Sequence, residues 1–519
     1  MTTQLATSPM QIQQKPLHAA LLAAGIVFLT RLPFLWPGYG IHQDGWMLIN
    51  AARWMSAHPG HYICSRLPGY PFQEFATLAF WRGGPLVVNG VTALMCAALV
   101  FFFVLVLGKL RCRDAVLAGV ALAFVPMAYL SSVMAKDYLW AVAFAMAALY
   151  FALQRRPTLA GLLLGLGMGT RLTTVGLLPF LLLLLLRPHE EDEDAGRVPA
   201  NTRQKVIASL TMSACTLLVG GLCFLPVYLH FGRGFFTYYP AKMQLISIVA
   251  NATINFWGVT GMLALLIAFG SLLHPAVRRG ASSFAVRPGK VHIAVWAGIC
   301  LAYGCLFLKL PLESAYLLPA LPFALLLLAH ALPRRVFQLL CIALIVAPFL
   351  LTFRRDANPP SPAVAGARIA GYQWRLYWAG PLLDDALSRR RQQRYLRDLL
   401  AFAEAQQRPT VIVAVWNMPM IDLQVLDRGG RLVDVPPSER PHPWCWERSF
   451  HAVDHRGLVQ FRCLLTRAQF DTLQQQGYAI YCVPDMRWSF QSRLDPAHPE
   501  FDPFTHGCEL VPIGTFKGE

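Results

Sequence analysis

Ten acidic residues precede position 354 of this 519-residue chain, and four of them are placed where they could do chemistry. Five of the ten form the run Glu190–Asp194, a solvated tether by its charge density, and Asp114 stands beside the end of an apolar run. Asp44, Glu74, Asp137 and Glu313 remain, each next to a different apolar stretch, with Arg66, Lys136, Arg171 and Lys309 in comparable positions. Charges at the edge of hydrocarbon are costly unless they pair or face water, so acids and cations from separated segments mark a candidate site. For any one of them alone, an interfacial ion pair is the competing reading. A carboxylate so placed can take a proton from a hydroxyl, and a guanidinium can grip a phosphate with its planar fork.

The segment Gly40-Ile-His-Gln-Asp44-Gly-Trp46 is followed by a helix-like Met47–Ala57 and then by Ser65-Arg66-Leu67-Pro68-Gly69-Tyr70-Pro71-Phe72-Gln73-Glu74. The Pro-Gly-Tyr-Pro turn fixes the chain just after Arg66, which suits a guanidinium held for bidentate contact. Glu74 reads as a structural partner for a neighbouring basic side chain. The trio His58, His61 and Cys64 has metal-ligand spacing but supplies three ligands from one short loop, a weak pattern.

The elements that must carry these residues are membrane helices. Hydrophobic residues make up 55% of the chain and charged residues 14%, with a mean hydropathy of +0.45. Soluble enzymes and nucleic-acid binders are poor readings of such a composition despite a net charge of +17. Residues 1–353 hold 25 Lys and Arg against 10 acids, and the remaining 166 residues hold 20 against 18, so the excess belongs to the apolar part. Apolar runs near the ~20 residues of one crossing lie at about 18–36, 86–107, 115–131, 138–153, 204–229, 251–273, 291–308, 316–332 and 336–353. The stretch Leu159–Leu186, with Gly161, Gly165, Gly167 and Gly169 before Arg171 and Pro179 after it, reads as two short broken helices meeting near Arg171. Eleven crossings result. With the N-terminus inside, the inner loops carry 16 Lys and Arg in 67 residues and the outer loops 7 in 83, which sets the orientation. The first run has no following cleavage site and is expected to be retained.

Residues 354–519 then lie outside, and their composition changes. Asp384–Gln407 reads as a charged amphipathic helix leading into the strand-like Thr410–Trp416, and Thr466–Gln476 followed by Tyr478–Val483 repeats that order. The expected fold is a polytopic α-helical membrane protein with a C-terminal extracytoplasmic α/β domain, divided at 1–353 and 354–519. Cys445, Cys463, Cys482 and Cys508 allow one or two disulfides or four buried thiols, and spacing does not choose. Trp46, Trp54, Trp81 and Tyr238-Tyr239 read as interface belt residues, while Trp444-Cys445-Trp446 and Trp416-Asn417 read as core. The tail has no G-x-S-x-G, H-E-x-x-H or dinucleotide fingerprint.

In order along the chain, Asp44 after the first span, Arg66-x-Pro-Gly-Tyr-Pro71, Asp137-Tyr138, Arg171 before Thr173-Thr174, and Glu313-Ser-Ala-Tyr316 with Pro319 and Pro322 resemble the GT-C superfamily of polytopic glycosyltransferases. That group contains the protein O-mannosyltransferases and the lipid A aminoarabinose transferases. The resemblance covers most of residues 20–350 and little of the tail. The chain departs from the family pattern in having Ala315 before Tyr316 and a single Asp44 where paired acids are common. The resemblance implies inverting transfer of a sugar from a polyprenyl phosphate to a glycan, lipid or protein acceptor on the outer face of the cytoplasmic membrane. Read from the residues beside it, Asp44 is the candidate general base, with Asp137 orienting the acceptor, helping a metal or balancing Lys136. Arg66 and Arg171, with Lys136 or Lys309, would bind the donor phosphate, with Glu74, Glu313 and Tyr316 in supporting roles. No cofactor is required and a divalent metal stays open. A transporter or flippase of a lipid-linked or anionic substrate is the alternative, with the broken helices near Arg171 lining its path.

Overall fold

A computed structural model describes residues 9–186, 201–236, 243–274, 282–354, 363–369, 372–414, 417–435, 450–487 and 501–514. Glu190–Asp194, Trp416, Tyr238-Tyr239 and Trp444-Cys445-Trp446 lie outside them. The apolar runs all form helices. The first is α1 (Pro9–Arg31), and after it come α2 (Gln43–Ala57) and α3 (Pro71–Leu78) of the first long loop. The bundle continues with α4 (Gly84–Lys109), α5 (Ala115–Phe124), α6 (Pro126–Ser132), α7 (Tyr138–Leu153), α8 (Pro157–Thr170), α9 (Leu178–Leu186) and α10 (Thr202–Phe231). It closes with α11 (Leu245–Ala252), α12 (Ile254–Ser271), α13 (Lys290–Lys309), α14 (Leu321–Ala331) and α15 (Arg334–Leu350).

Among the described residues, six helices are long and apolar enough to cross a membrane, or seven if α5 and α6, bent by 71° at their junction, count as one span. Shorter apolar helices occupy Tyr138–Leu153, Pro157–Thr170 and Leu172–Leu186. The α5–α6 bend falls at Pro126, whose ring drives Val125 to an extended backbone (ψ 127°) and ends the preceding helix.

The break at Arg171 is present, but the glycines before it do not cause it. Helix α8 runs unbroken through Gly161, Gly165 and Gly169, and these line its contact with α10. A methyl group on them would stand 2.6 Å from the Met212 carbonyl oxygen, 2.7 Å from Val219 Cβ and 2.6 Å from Cys223 Sγ. They let two helices approach closely, as small residues four apart do in membranes. The helix ends where Arg171 turns extended (φ −145°, ψ 118°), and a 3-10 stretch, Leu172–Leu177, leads into α9.

Past the bundle, β1 (Thr352–Arg354), β2 (Ala363–Ile369) and β3 (Tyr372–Tyr377) form a small antiparallel sheet in the order β1-β3-β2. Helix α16 (Pro381–Glu404), β4 (Thr410–Val413), α17 (Met418–Asp427), β5 (Arg431–Asp434), β6 (Phe450–Val453), β7 (Val459–Arg462), α18 (Arg467–Gln475), β8 (Ala479–Cys482) and β9 (Glu509–Leu510) follow. The larger sheet has the order β5-β6-β7-β4-β8-β9, parallel from β7 to β9 and antiparallel from β5 to β7. Both anticipated helix-then-strand pairs are present, the second begun by a capping box in which Thr466 and Gln469 satisfy each other's backbone N–H. Cys463, Cys482 and Cys508 are buried, and Cys445 lies outside the described residues.

The tail shares one hydrophobic core with the first loop: Tyr39, Trp46, Leu48 and Ile49 pack with Tyr395, Leu396, Met418 and Ile421. Buried polar contacts fix the join. Asn50 donates to the Pro419 carbonyl at 2.7 Å and Gln392 to that of Ile41 at 3.1 Å. Arg389, fully buried and held by Asp385, donates to the carbonyls of Phe34 (3.3 Å) and Val133 (3.0 Å). The tail thus buttresses the chain on either side of Asp44 and just before Lys136.

Candidate functional site

Six charged side chains from five separated segments meet at the end of the bundle that carries the tail. The chain reaches that point after α1, before α3, between α6 and α7, after α8, and after α13. Asp44 lies in the first turn of α2. Arg66 sits on the loop before α3, and its carbonyl accepts from the Gly69 N–H at 2.8 Å. Glu74 braces this loop by accepting from the Ser65 N–H (2.7 Å), Ser65 Oγ (2.6 Å), Tyr62 Oη (2.5 Å) and the Tyr70 N–H (3.3 Å). Burial raises its pKa, and those donors offset part of the rise by favouring the carboxylate.

Asp137, at the start of α7, is fully buried and committed on both oxygens. Arg66 donates to Oδ1 at 2.6 Å and Arg171 donates to Oδ2. The same guanidinium groups stack on aromatic faces, Arg66 on Tyr70 and Arg171 on Tyr138, each 4.0 Å from the ring centroid. Tyr70 and Tyr316 flank Arg171 at 5.5 Å. The chain after Arg171 is pinned by Tyr303, whose hydroxyl donates to the Thr173 carbonyl at 3.0 Å. Two buried guanidinium groups would repel each other, and the acid between them sets their spacing.

Lys136 and Glu313 form the second half. Lys136 Nζ lies 3.0 Å from Glu313 Oε2, to which Tyr138 Oη also donates at 2.8 Å. Burial pushes the Glu313 carboxyl up, but Lys136, His42 and these hydrogen bonds outweigh it and hold it well below the usual carboxylate range. Burial likewise lowers the Lys136 ammonium, and the Glu313 and Asp44 carboxylates more than restore it. Asp44 joins the two halves without closing a hydrogen bond to either: its Oδ2 lies 3.7 Å from Arg66 and 3.8 Å from Lys136. Those separations are ion-pair distances beyond hydrogen-bond reach. Asp44 keeps 14% of its side-chain exposure and Glu313 24%, whereas Asp137 keeps none.

Asp44, Arg66, Lys136, Asp137, Arg171, Glu313 and Tyr316 are therefore gathered, and Glu74 stands apart as the brace of the Arg66 loop. The sequence reading misses His42, two residues before Asp44, as well as the platforms formed by Tyr70 and Tyr138. His42 is exposed to water and feels the charge of Lys136. The Lys136 ammonium first and desolvation second hold its pKa below the ordinary value. The two tyrosines did carry a signal, each being next to or near a buried cation in sequence. Among the described residues, no group of three or more His, Cys, Asp or Glu is arranged to hold a metal ion, and His58, His61 and Cys64 do not converge. The site acids fit a divalent cation poorly, since both oxygens of Asp137 already accept from arginines and Glu313 is held by Lys136 and Tyr138.

No family model matches the chain, and no curated protein matches it. Among solved structures it is similar to the apo form of the Archaeoglobus fulgidus oligosaccharyltransferase, at 16% identity with a TM-score of 0.32 over 64% of this chain and 49% of that one. The chain thus spans about half the length of the structure it matches.

Proposed function

We propose that the chain is a membrane glycosyltransferase of the GT-C kind, moving a sugar from a polyprenyl phosphate to a glycan, lipid or protein acceptor at the outer face of the cytoplasmic membrane, with inversion. One observation carries this reading: an acid with unused hydrogen-bonding capacity, Asp44, stands beside cations fixed by neighbouring acids at one end of an apolar bundle. In the proposed division, residues 1–353 form the catalytic membrane domain with eleven crossings, and residues 354–519 form an extracytoplasmic α/β domain.

The step follows from the residues. Asp44 accepts the proton of an acceptor hydroxyl, whose oxygen attacks the anomeric carbon. The bond from that carbon to the phosphate oxygen breaks, and the phosphate departs with the electron pair. A positioned base contributes ~10²–10⁴-fold to such a reaction. The departing phosphate gains charge, and Arg66, Arg171 and Lys136 are fixed before it arrives, so little reorganisation is required as the barrier is crossed. Asp137 is a positioning residue that spaces the two guanidinium groups, and Glu313 does the same for Lys136. Tyr316 borders Arg171, and Glu74 holds the Arg66 loop.

Two experiments test this reading. Lipid analysis of a deletion strain should show an accumulated polyprenyl phosphosugar, and an unchanged lipid profile would contradict the proposed donor. Alkaline phosphatase fused after Arg355 should be active and fused near Glu191 inactive; the reverse pattern would remove the outer-face site.

A further inference from the structure

Behind α2 lies a cavity of about 420 Å³, within the roughly 300–1,000 Å³ range of small-molecule sites. Its walls come from the segment after α1, from α2, from the start of α4 and from α16 and α17, and they carry Trp36, Trp46, Trp81, Gln393, Gln424 and Asp427. Trp46 follows Asp44 by two residues, about 200° around a helix of 3.6 residues per turn, so the cavity lies against the face of α2 turned away from the acid. It is a different place from the charged cleft.

The walls are unequal in rigidity. Trp46 is buried and fixed, with its indole N–H donating to the Gly40 carbonyl at 2.9 Å and the Tyr39 ring set edge-on at 5.2 Å. Trp36 is 64% exposed, and Gln393 and Gln424 are half-buried. Read from sequence, Trp46 and Trp81 are belt residues of the membrane surface. In the structure both line one cavity together with two carboxamides and a carboxylate.

Indole faces present flat apolar surface, carboxamides both donate and accept, and a carboxylate accepts. A ligand matched to that set is apolar on the faces of a ring and carries hydroxyls around its edge. An anionic ligand fits less well: Arg82 is the one Lys or Arg among the lining residues, its guanidinium stands 5.5 Å from the Trp81 ring centroid, and Asp427 is already paired through Oδ1 with Arg53, so the walls offer no surplus of positive charge. A hydrocarbon chain would bury the two amides without partners, at a cost of roughly 1–3 kcal/mol for each polar group.

We propose that this cavity binds an uncharged saccharide, stacked on Trp36 and Trp81 and hydrogen-bonded by Gln424 and Gln393, at a site separate from the Asp44 cleft. The proposal goes beyond the transfer reading and does not depend on it. The test uses the full chain purified in lipid nanodiscs and probed on an array of neutral glycans with no donor present, followed by titration of the best-retained saccharide. At least one neutral saccharide should be retained. Trp36→Ala and Gln424→Leu should each weaken it about tenfold or more, the size expected for one buried anchor, while Asp44→Asn leaves it within about twofold. Trp36 is exposed, so Trp36→Ala keeps the fold, and an unchanged melting temperature verifies this. Retention of no neutral saccharide, retention insensitive to both cavity variants, or loss confined to Asp44→Asn would each overturn the proposal. A failure of transfer in Asp44→Asn bears on the cleft alone.

Discussion

The two ends of the helical bundle both carry buried acids, and they use them differently. At the end away from the tail, both oxygens of Asp114 accept from one helix: Arg334 donates through Nε (3.0 and 3.1 Å) and Nη2 (3.0 Å), and Gln338 donates at 2.8 Å. Backbone bonds from Arg113 to Ser283 and from Ala285 to Arg111 clip the neighbouring loops together. Asp114 is a finished contact, with 5% of its side chain exposed and its arginine partner 38% exposed to water. At the tail end three acids share three cations drawn from several segments, and one acid, Asp44, has no hydrogen bond among the described residues. A saturated acid stabilises a fold, and an acid held near charge but left open can still accept a proton. The count of charges does not separate structure from chemistry here, whereas the residual hydrogen-bonding capacity does.

Mutations can break or sharpen this contrast. The largest effect is expected at Asp137, where Asp137→Asn leaves two buried guanidinium groups facing each other. Removing one partner of a buried ion pair costs ~3–5 kcal/mol, read as a drop in the midpoint of detergent-solubilised unfolding. Asp114→Asn should cost less, because Arg334 can turn to water. Equal losses would put the two ends on the same footing.

Next in size, Arg66→Lys and Arg171→Lys keep the charge and lose the fork. Each should lower transfer by about 10²-fold, near the value of one preorganised transition-state donor, with insertion and folding retained. Wild-type turnover and donor affinity in both variants would make these positions structural. Glu74→Gln should be milder, roughly fivefold or about 1 kcal/mol, since it weakens the brace of the Arg66 loop without touching the phosphate side.

The smallest effect is one of pH. Glu313 is held below the ordinary carboxylate value, so its stabilising contribution is complete above its unfolded pKa of about 4.3 and is lost as pH falls through the lower folded value. The stability gap between wild type and Glu313→Gln should therefore be constant from pH 7 to about pH 5 and narrow below it. A gap that widens toward acid would contradict the direction assigned to Glu313.

The members of the cleft were legible because a charge in an apolar chain is conspicuous, and Asp44, Arg66, Lys136, Asp137, Arg171 and Glu313 announce themselves by position. Their pairing was not. Sequence leaves Asp137 free to orient an acceptor or to help a metal, and only its two oxygens filled by Arg66 and Arg171 give it a positioning role. The glycines of α8 look like helix breakers until α10 is seen against them. The seat of the tail on α2 depends on contacts such as Asn50 to Pro419, 369 residues apart, which no local periodicity encodes. His42 passes unnoticed for the same reason, since its neighbours Lys136 and Glu313 arrive from other helices.

The central claim is that Asp44 is the base, and Asp44→Asn tests it most directly because the amide keeps the shape and removes the basicity. Purified wild-type and Asp44→Asn proteins should be compared for transfer from a polyprenyl phosphosugar across pH, alongside binding of that donor. The account predicts loss of at least about 10²-fold in transfer at every pH with donor binding largely intact. Near wild-type transfer by Asp44→Asn would contradict it.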